Sequence, residues 1–293
     1  AYDLVISEDD QTLSLLAARN MRVALLSGVT TLRDLGSKNQ VAFAVRRAIK
    51  AGIIPGPRLV LAGTPITTTF GHCHMFGTVA NTTAEMVQAI RNQKNLGADV
   101  IKVMATGGMF TPTANPREPQ YTVDTLRVAV KESERLDLQI VAHTLSAQGI
   151  KNCVEAGVHH LIHSRWLSRD PNSGLEYDPN LTARIAENGH WVDPTYGHHL
   201  LAEEALERGD PEPEPHWSVT NSPISPEEHI ACTADMRRQG VRFTTGLDMG
   251  MPYANFDKSS ANARVFVKLF DYSNWEAIAA STSESAEALG LAG

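Results

Sequence analysis

The sequence predicts an α/β fold in which parallel strands alternate with helices and close into a barrel. Short apolar runs recur along the chain, helix-compatible stretches separate them, and unusual polar residues stand where the runs end. The strand-to-strand step between residues 30 and 245 is roughly 36 residues, which is the size of one βα unit. With 293 residues, the chain is near the length of about 250 that is typical of one such barrel.

Seven β-type runs are predicted, each ending where small, polar or ionisable residues begin. They are Val29–Asp34, Arg58–Ala62, Asp99–Ala105, Gln139–His143, His159–His163, His190–Pro194 and Val241–Asp248. A closed (β/α)8 barrel of the TIM type needs eight strands, so one strand is missing from this count. We interpret the helix predicted at Gln11–Leu26 as the element that follows an absent first strand; alternatively, Asp3–Ser7 is that strand.

Helices are predicted between the runs. They are Asn39–Ala51, Thr83–Leu96, Thr122–Leu136, Ser146–Ala156, Asn180–Asn188 and Ser225–Arg238. Ser225, Pro226 and Glu228 stand where an N-cap, a first-turn proline and a capping-box glutamate belong. Five glycines are expected to end helices just before strands: Gly28, Gly97, Gly157, Gly189 and Gly240. One domain over residues 1–293 is the simplest organisation.

The composition argues against several classes of partner. The net charge of −7 provides no basic stripe for phosphates, so nucleic acid is not expected to bind. No apolar run approaches the ~20 residues of a membrane span. Three separated cysteines indicate neither a disulfide framework nor a thiolate zinc site, and they favour a reducing, cytoplasmic location. A leader, if one exists, is not part of this chain.

Lys102 interrupts the predicted strand D-V-I-K-V-M-A, where a barrel strand should be almost continuously apolar. It either serves a site at the barrel mouth, extends outward past a helix to water, or pairs with a carboxylate. Functional residues of parallel barrels lie at the carboxyl ends of strands. A functional lysine would therefore share the mouth with the polar residues that end other strands.

Three further residues end predicted strands. His143 ends Q-I-V-A-H, and His163 ends H-L-I-H one βα unit later. One such histidine alone is more often a hydrogen-bonded core residue, but two in matching positions favour a shared site. Asp248 follows in F-T-T-G-L-D-M-G, where a buried carboxylate needs a cation or hydrogen-bond donors; an N-cap is the alternative.

At these residues the sequence resembles the amidohydrolase superfamily, in its imidazolonepropionase-like and Xaa-Pro or Xaa-Arg/Lys dipeptidase-like branch. The resemblance extends over nearly the whole chain. The matching stretches occur in a fixed order, and this combination is far more specific than any one motif. Besides the two histidines they are G-V-T-T-L-R-D-L-G at 28–36, I-P-G-P-R-L at 54–59, A-D-V-I-K-V-M-A-T-G-G at 98–108 and T-G-L-D at 245–248.

The resemblance implies a binuclear metal site. Lys102 would be carboxylated by CO2 and bridge two metals, His143 and His163 would bind the second metal, and Asp248 would bind the first and act as general base. A desolvated lysine has a lowered pKa, so its neutral amine can form the carbamate. Imidazoles and carboxylates suit zinc, with manganese or cobalt as replacements. Homo-oligomers are also implied.

The resemblance further implies parts that this chain does not include. The H-x-H pair of the first strand is expected before residue 1, and a small accessory β-domain is expected beyond the barrel. We therefore expect a partial chain of a longer protein. His72 and His74 also form an H-x-H, but they follow the third strand, where relatives carry a loop that lines the substrate pocket.

Arg165 and Tyr196 follow the sixth and seventh strands and are candidates to bind substrate, through a carboxylate or a ring; ordinary packing of the loops is the alternative for each. Leu145 and Ile162 stand where relatives often have polar residues, which puts the substrate in doubt. The segments 106–121 and 197–226 are predicted to be long loops at the mouth. No role is assigned to His198, His199 or His216 in the second segment.

The leading hypothesis is metal-dependent hydrolysis of an amide C–N bond in a small peptide, dipeptide or N-acyl amino acid. A carbamate, urea or cyclic-amide hydrolase is a near alternative. A lyase that forms a Schiff base on Lys102 is a second class. A binding barrel that has lost its metal is a third, because a fold alone does not establish an activity.

Overall fold

The computed structural model describes residues 2–210 and 225–291. Nine strands are present in this part of the chain. They are β1 Thr31–Asp34, β2 Arg58–Leu61, β3 Ile66–Thr67, β4 Thr78–Val79, β5 Val100–Met104, β6 Gln139–Ser146, β7 His160–Leu167, β8 Trp191–Asp193 and β9 Arg242–Phe243.

Twelve helices are described over the same residues. They are α1 Tyr2–Ser7, α2 Asp10–Leu26, α3 Val41–Lys50, α4 Thr83–Leu96, α5 Val123–Arg135, α6 Ala147–Ala156, α7 Pro179–Glu187, α8 Gly197–Glu207, α9 Pro226–Arg238, α10 Ala261–Leu269, α11 Asn274–Ser281 and α12 Ser283–Ala288. Among these, no helix is both long enough and apolar enough to cross a bilayer.

The strands are parallel and follow one another in barrel order. β1 pairs with β2, and the second sheet runs β4-β3-β5-β6-β7-β8-β9. The two sheets are joined where the Asp99 amide donates to the Leu61 carbonyl at 2.8 Å, next to β5. Parallel strands wound this way, with their crossover helices outside, form a TIM-type (β/α) barrel. The predicted fold class is confirmed.

Two apolar layers stabilise this arrangement. Inside the barrel, Val60, Val100, Val141 and Ile162 pack together. Outside, a continuous buried cluster joins the strands to the surrounding helices, with Ile101 and Ile140 as fully buried members. Because alternate residues of a strand face opposite layers, the strands are apolar on both faces, and a polar side chain within one stands out.

The helix boundaries follow from the predicted capping signals. The Ser225 hydroxyl accepts the Glu228 amide at 3.1 Å, while the Glu228 carboxylate accepts the Ser225 amide at 3.4 Å, which completes a capping box. Gly97 and Gly157 end α4 and α6 in the left-handed conformation, with φ of 94° and 86°. These parts of the prediction are confirmed.

Other boundaries differ from the prediction. Asp3–Ser7 is not a strand, because Tyr2–Ser7 is helical. The segment 197–226 is not a continuous loop, because α8 occupies its first eleven residues; His216 lies outside the described residues. The last predicted strand, Val241–Asp248, is paired only at Arg242–Phe243. The short strands β3 and β4 were not predicted.

Candidate active site

A cavity of about 1470 Å³ extends from the carboxyl ends of the barrel strands to Thr31 and Arg58, where β1 and β2 begin. Its lining includes all four residues that were predicted as metal ligands: Lys102, His143, His163 and Asp248. The register of the parallel strands places the two histidines at similar heights in the barrel. Met104 of β5 pairs with His143 of β6, and Thr144 of β6 pairs with His163 of β7. The structure therefore brings these four side chains to one place.

Lys102 lies in the middle of β5 and is only 5% exposed. Burial lowers the pKa of its amine to about 8, against the attraction of Asp248, and the positive charge of Arg33 lowers it further. A lysine with such a pKa is partly neutral near physiological pH. It does not extend past a helix to bulk water, so that alternative from the sequence is wrong.

His143 and His163 lie side by side, with ring centroids 4.7 Å apart. The pKa of each imidazole lies well below its ordinary value, mainly because burial disfavours the charged form. His143 Nε2 lies 3.0 Å from the Gly107 carbonyl, which can only accept, so its Nδ1 carries the lone pair. Both rings are neutral, the form that binds metals.

Asp248 follows β9 in a loop and faces the cavity, in the left-handed backbone conformation with φ of 56°. Asp248 keeps an exposed surface where it borders the cavity. The protein atoms packed around its carboxyl raise the pKa of that group, while the positive charges of Lys102 and Arg165 lower it. It does not serve as an N-cap, because α10 begins at Ala261 and follows Ser260.

These residues fit a divalent metal by donor chemistry. Two neutral imidazoles, one carboxylate and a lysine with a lowered pKa offer the nitrogen and oxygen ligands that zinc, manganese and cobalt accept. Among residues 2–210 and 225–291, no three His, Cys, Asp or Glu side chains form a ready-made metal cluster.

A polar network beneath the site was not predicted. Arg33 donates to His160 Nδ1 at 3.0 Å, so His160 Nε2 carries the proton and donates to the Thr244 hydroxyl at 3.0 Å. Thr244 in turn donates to Asp193 at 3.4 Å. Burial raises the pKa of Asp193 to about 6, and Arg33 opposes this. Asp193 ends a strand in W-V-D, the same signal that identified Asp248.

The loop histidines predicted to bind substrate separate in the structure. His72 lines the cavity, and its ring centroid lies 4.4 Å from that of His143. Burial lowers the pKa of His72 to about 3. His74 does not line the cavity; its Nδ1 lies 3.0 Å from the Gly71 carbonyl, and its ring contacts Phe70. Of this pair, only His72 is placed to touch a substrate.

Arg165 and Tyr196 both line the cavity and contact each other. The Arg165 guanidinium lies over the Tyr196 ring at 5.4 Å and donates to His199 Nε2 at 3.1 Å. Among the described residues, no carboxylate lies within ion-pair distance of Arg165. Tyr196 is 5% exposed and packs against His199 and His229, which leaves little of its ring for a substrate.

Strained backbone marks the mouth of the barrel. His163, Ser164, Thr195 and Asp248 all have positive φ, at 73°, 44°, 45° and 56°. Such conformations are uncommon outside glycine, and they persist only where surrounding contacts hold them. Three of these residues, His163, Thr195 and Asp248, line the cavity, which supports its assignment as the candidate active site.

The sequence pattern of the amidohydrolase family matches residues 2–293. The chain belongs to this family. Among curated proteins, an ochratoxinase of Aspergillus niger is 30% identical over 171 residues, which cover 50% of this chain. The match spans only 35% of the length of that enzyme.

Solved structures agree with this assignment. A crystal structure of an amidohydrolase aligns with a TM-score of 0.80 at 26% identity, covering 99% of this chain and 71% of that one. A Xaa-Pro dipeptidase with methionine bound in its active site aligns with a TM-score of 0.78 at 25% identity, covering 98% and 70%. The predicted family and its dipeptidase-like branch are therefore confirmed.

Proposed function

We propose that this amidohydrolase cleaves an amide C–N bond in a small peptide or an N-acyl amino acid, with water activated by a bound divalent metal. The observation that carries the proposal is the composition of the cavity wall. Two neutral imidazoles, a lysine of lowered pKa and a carboxylate line it together. The family and its dipeptidase relative support the same class of reaction.

The proposed cofactor is a pair of zinc ions, with manganese or cobalt as replacements. His143 would bind through Nδ1, because its Nε2 is engaged by the Gly107 carbonyl. His163 would bind through Nε2, because its Nδ1 lies 2.6 Å from the Thr195 hydroxyl. A divalent metal, when bound, makes water acidic near neutral pH and polarises the substrate carbonyl.

Lys102 is proposed to carry a CO2-derived carbamate. The neutral amine forms a bond from nitrogen to the carbon of CO2 and releases one proton to solvent, which leaves an anionic group with two oxygen ligands. Burial supports this step, because it holds the pKa of the amine at about 8 rather than 10.5. The positive charge that would be costly in the cavity is replaced by a negative one that metals bind.

Asp248 is proposed as the proton carrier and as a further metal ligand. It accepts the proton of the attacking water and gives it to the departing nitrogen, which then leaves as a neutral amine. The raised pKa of this carboxyl makes its protonated form more accessible, which suits a group that first accepts a proton and then donates it. The lowered pKa of Lys102 results mainly from burial.

Arg165 is proposed to bind a carboxylate of the substrate. It is a half-buried cation that lines the cavity, without an ion-pair partner among the described residues. Burial lowers the pKa of its guanidinium to about 10, so a charged partner would stabilise it. A substrate carboxylate supplies that partner in the planar geometry that arginine prefers. Dipeptides and N-acyl amino acids carry such a group.

A second candidate is a urea, carbamate or cyclic-amide hydrolase. The observation that favours it is the apolar part of the cavity wall. Leu145 and Ile162 both line the cavity, and they are 5% and 4% exposed. A neutral substrate would use this wall and leave Arg165 unpaired.

The test is hydrolysis by the full-length protein loaded with zinc, manganese or cobalt. Dipeptides and N-acyl amino acids should be cleaved, and Asp248→Asn should lower kcat by about 100-fold to 10,000-fold, the range typical of an acid–base group. Asp124→Asn is the matched control, because Asp124 is an exposed partner of Arg127.

Two results would contradict the proposal. One is a metal-loaded wild-type protein that cleaves none of these substrates faster than Asp248→Asn does. The other is a metal-free protein in which borohydride traps a carbonyl substrate on Lys102, since that result favours the lyase. Faster cleavage of ureas or carbamates than of N-acyl amino acids would favour the second candidate.

A further inference from the structure

Thr195, at the barrel mouth, has a left-handed backbone conformation that is uncommon for a β-branched residue. It is a β-branched residue with φ of 45°, and it follows β8 with only 3% of its surface exposed. Branching at Cβ makes the left-handed region more costly for threonine than for asparagine or glycine. The neighbouring structure must therefore hold this residue in place, and the hydroxyl it presents is the feature to explain.

The buried carboxylate of Asp193 holds the backbone of Thr195. Asp193 Oδ1 accepts the amide of Thr195 at 3.0 Å and the amide of Gly246 at 3.0 Å. One carboxylate thus joins the loop after β8 to the loop after β9. Gly246 is required at this junction, because a Cβ there would lie 2.0 Å from Asp193 Oδ2.

The strained backbone directs the Thr195 hydroxyl at a proposed metal ligand. Thr195 Oγ1 lies 2.6 Å from His163 Nδ1, within hydrogen-bond distance. A hydroxyl has one proton and two lone pairs, so it can either accept from Nδ1 or donate to it. The two choices place the proton of the neutral imidazole on different nitrogens, and only one leaves Nε2 able to bind a cation.

The charges around His163 favour the arrangement in which the Thr195 hydroxyl accepts a hydrogen bond from Nδ1. Arg165 places a positive charge near the His163 ring, and Lys102 does the same in the metal-free protein before it is carboxylated. A lone pair at the edge of the ring that lines the cavity is favoured over an N–H group by these charges. The Thr195 hydroxyl then accepts from Nδ1–H. His143 differs, because the Gly107 carbonyl fixes its tautomer without a choice.

We propose that Thr195, held by Asp193, is a positioning residue that keeps His163 protonated on Nδ1 and its Nε2 lone pair in the cavity. This role rests on the proposed function for its purpose, since a metal is what Nε2 would bind. The hydrogen bonds that hold Thr195 against His163 do not depend on the proposed function. Hydrogen bonds of this kind orient metal-binding histidines and select their tautomer.

The experiment compares Thr195→Val and Thr195→Ser in the full-length protein. Valine keeps the branched shape and removes the hydroxyl, whereas serine keeps the hydroxyl. Thr182→Val is the matched control, because Thr182 is a buried threonine on α7 outside the cavity lining. The first measurement is the tautomer of His163 in the metal-free protein, from 15N NMR shifts of the ring. The second is zinc affinity, by competition with a chromophoric chelator.

We expect wild type, Thr195→Ser and Thr182→Val to show His163 protonated on Nδ1. Thr195→Val should show a mixture of tautomers and bind zinc about 10-fold to 100-fold more weakly, the loss typical for an outer hydrogen-bond partner of a ligand. If wild type binds zinc, equal zinc affinity of wild type and Thr195→Val would overturn the proposal. So would an Nε2-protonated His163 in the wild type.

The tautomer measurement separates this inference from the proposed function. Suppose that wild type binds no zinc, but that His163 is protonated on Nδ1 in wild type and shows mixed tautomers in Thr195→Val. This result would refute the metal hydrolase and support the role of Thr195. If the protein is a zinc-binding hydrolase and the tautomer of His163 is the same in wild type and Thr195→Val, the proposed function is supported and the role of Thr195 is refuted.

Discussion

Replacement of Lys102 by methionine gives a quantitative test of the burial that shapes the site. Methionine matches the length of the lysine stem and carries no charge. In wild type, folding lowers the pKa of Lys102 from 10.5 to about 8. Between these two values the unfolded chain binds a proton that the folded chain does not bind, so wild-type stability should rise with pH.

The size of the effect follows from the two pKa values. The difference between a pKa of 10.5 and one of about 8 corresponds to a change of about 3 kcal/mol in the free energy of unfolding. The stability of wild type relative to Lys102→Met should therefore increase by about this amount between pH 7.5 and pH 10.5. Groups that titrate equally in both proteins cancel in the difference.

The assay is urea unfolding of both full-length proteins across this pH range. The buffers should be free of CO2 and contain a chelator, since a carbamate or a metal would change the charge of the lysine. A difference in stability that stays constant from pH 7.5 to pH 10.5 would refute the reasoning. A difference that falls with pH would show that folding raises the pKa of Lys102.

Three further predictions concern the walls of the cavity. Arg165→Gln should raise the KM of carboxylate-bearing substrates about 10-fold to 150-fold, from the loss of a charged hydrogen bond worth about 1.5–3 kcal/mol; a KM for the matching carboxamide that rises equally would contradict this. Gly246→Ala should destabilise the fold by about 1–3 kcal/mol in thermal unfolding, because its Cβ would meet Asp193; Gly36→Ala, where the nearest atom is 3.4 Å away, should not. His229→Phe should leave stability unchanged or raise it by about 1 kcal/mol, since both buried ring nitrogens lack a hydrogen-bond partner among the described residues; a loss above 1 kcal/mol would show that they have one.

The parallel barrel could be predicted because its signals are local and repeated. Helices such as α9 carry explicit capping signals, as at Ser225, and β5 reads V-I-K-V-M, an apolar run broken only by Lys102. The short strands β3 and β4 have two residues each, which is too few to show a period. α8 was missed because histidines, acidic residues and a following proline-rich stretch resemble a loop, although L-L-A-E-E-A-L-E favours a helix.

The site was predictable where a polar residue interrupts or ends an apolar strand. Lys102, His143, His163 and Asp248 all carry that signal and all line the cavity. The position of His74 could not be predicted, because a loop next to a strand can direct adjacent histidines in opposite directions. The roles of these residues remain predictions.

The interior network was missed for a different reason. Arg33 and His160 are polar residues inside strands that are far apart in sequence, and their contact depends on barrel closure. Thr195 looks unremarkable in D-P-T-Y, since the sequence does not show that its φ is positive. Backbone conformation at strand ends is set by tertiary contacts, which a single sequence does not specify.

The left-handed residues at the mouth have a consequence for protein engineering. Glycine adopts this backbone region freely, so glycine substitutions at Thr195 or Asp248 would relieve strain that the native side chains impose. A screen that rewards heat resistance alone would thus be drawn towards the positions that the chemistry needs. Directed evolution of this protein would have to select for the proposed activity in the same round, because selection for stability alone does not preserve the residues of the candidate site.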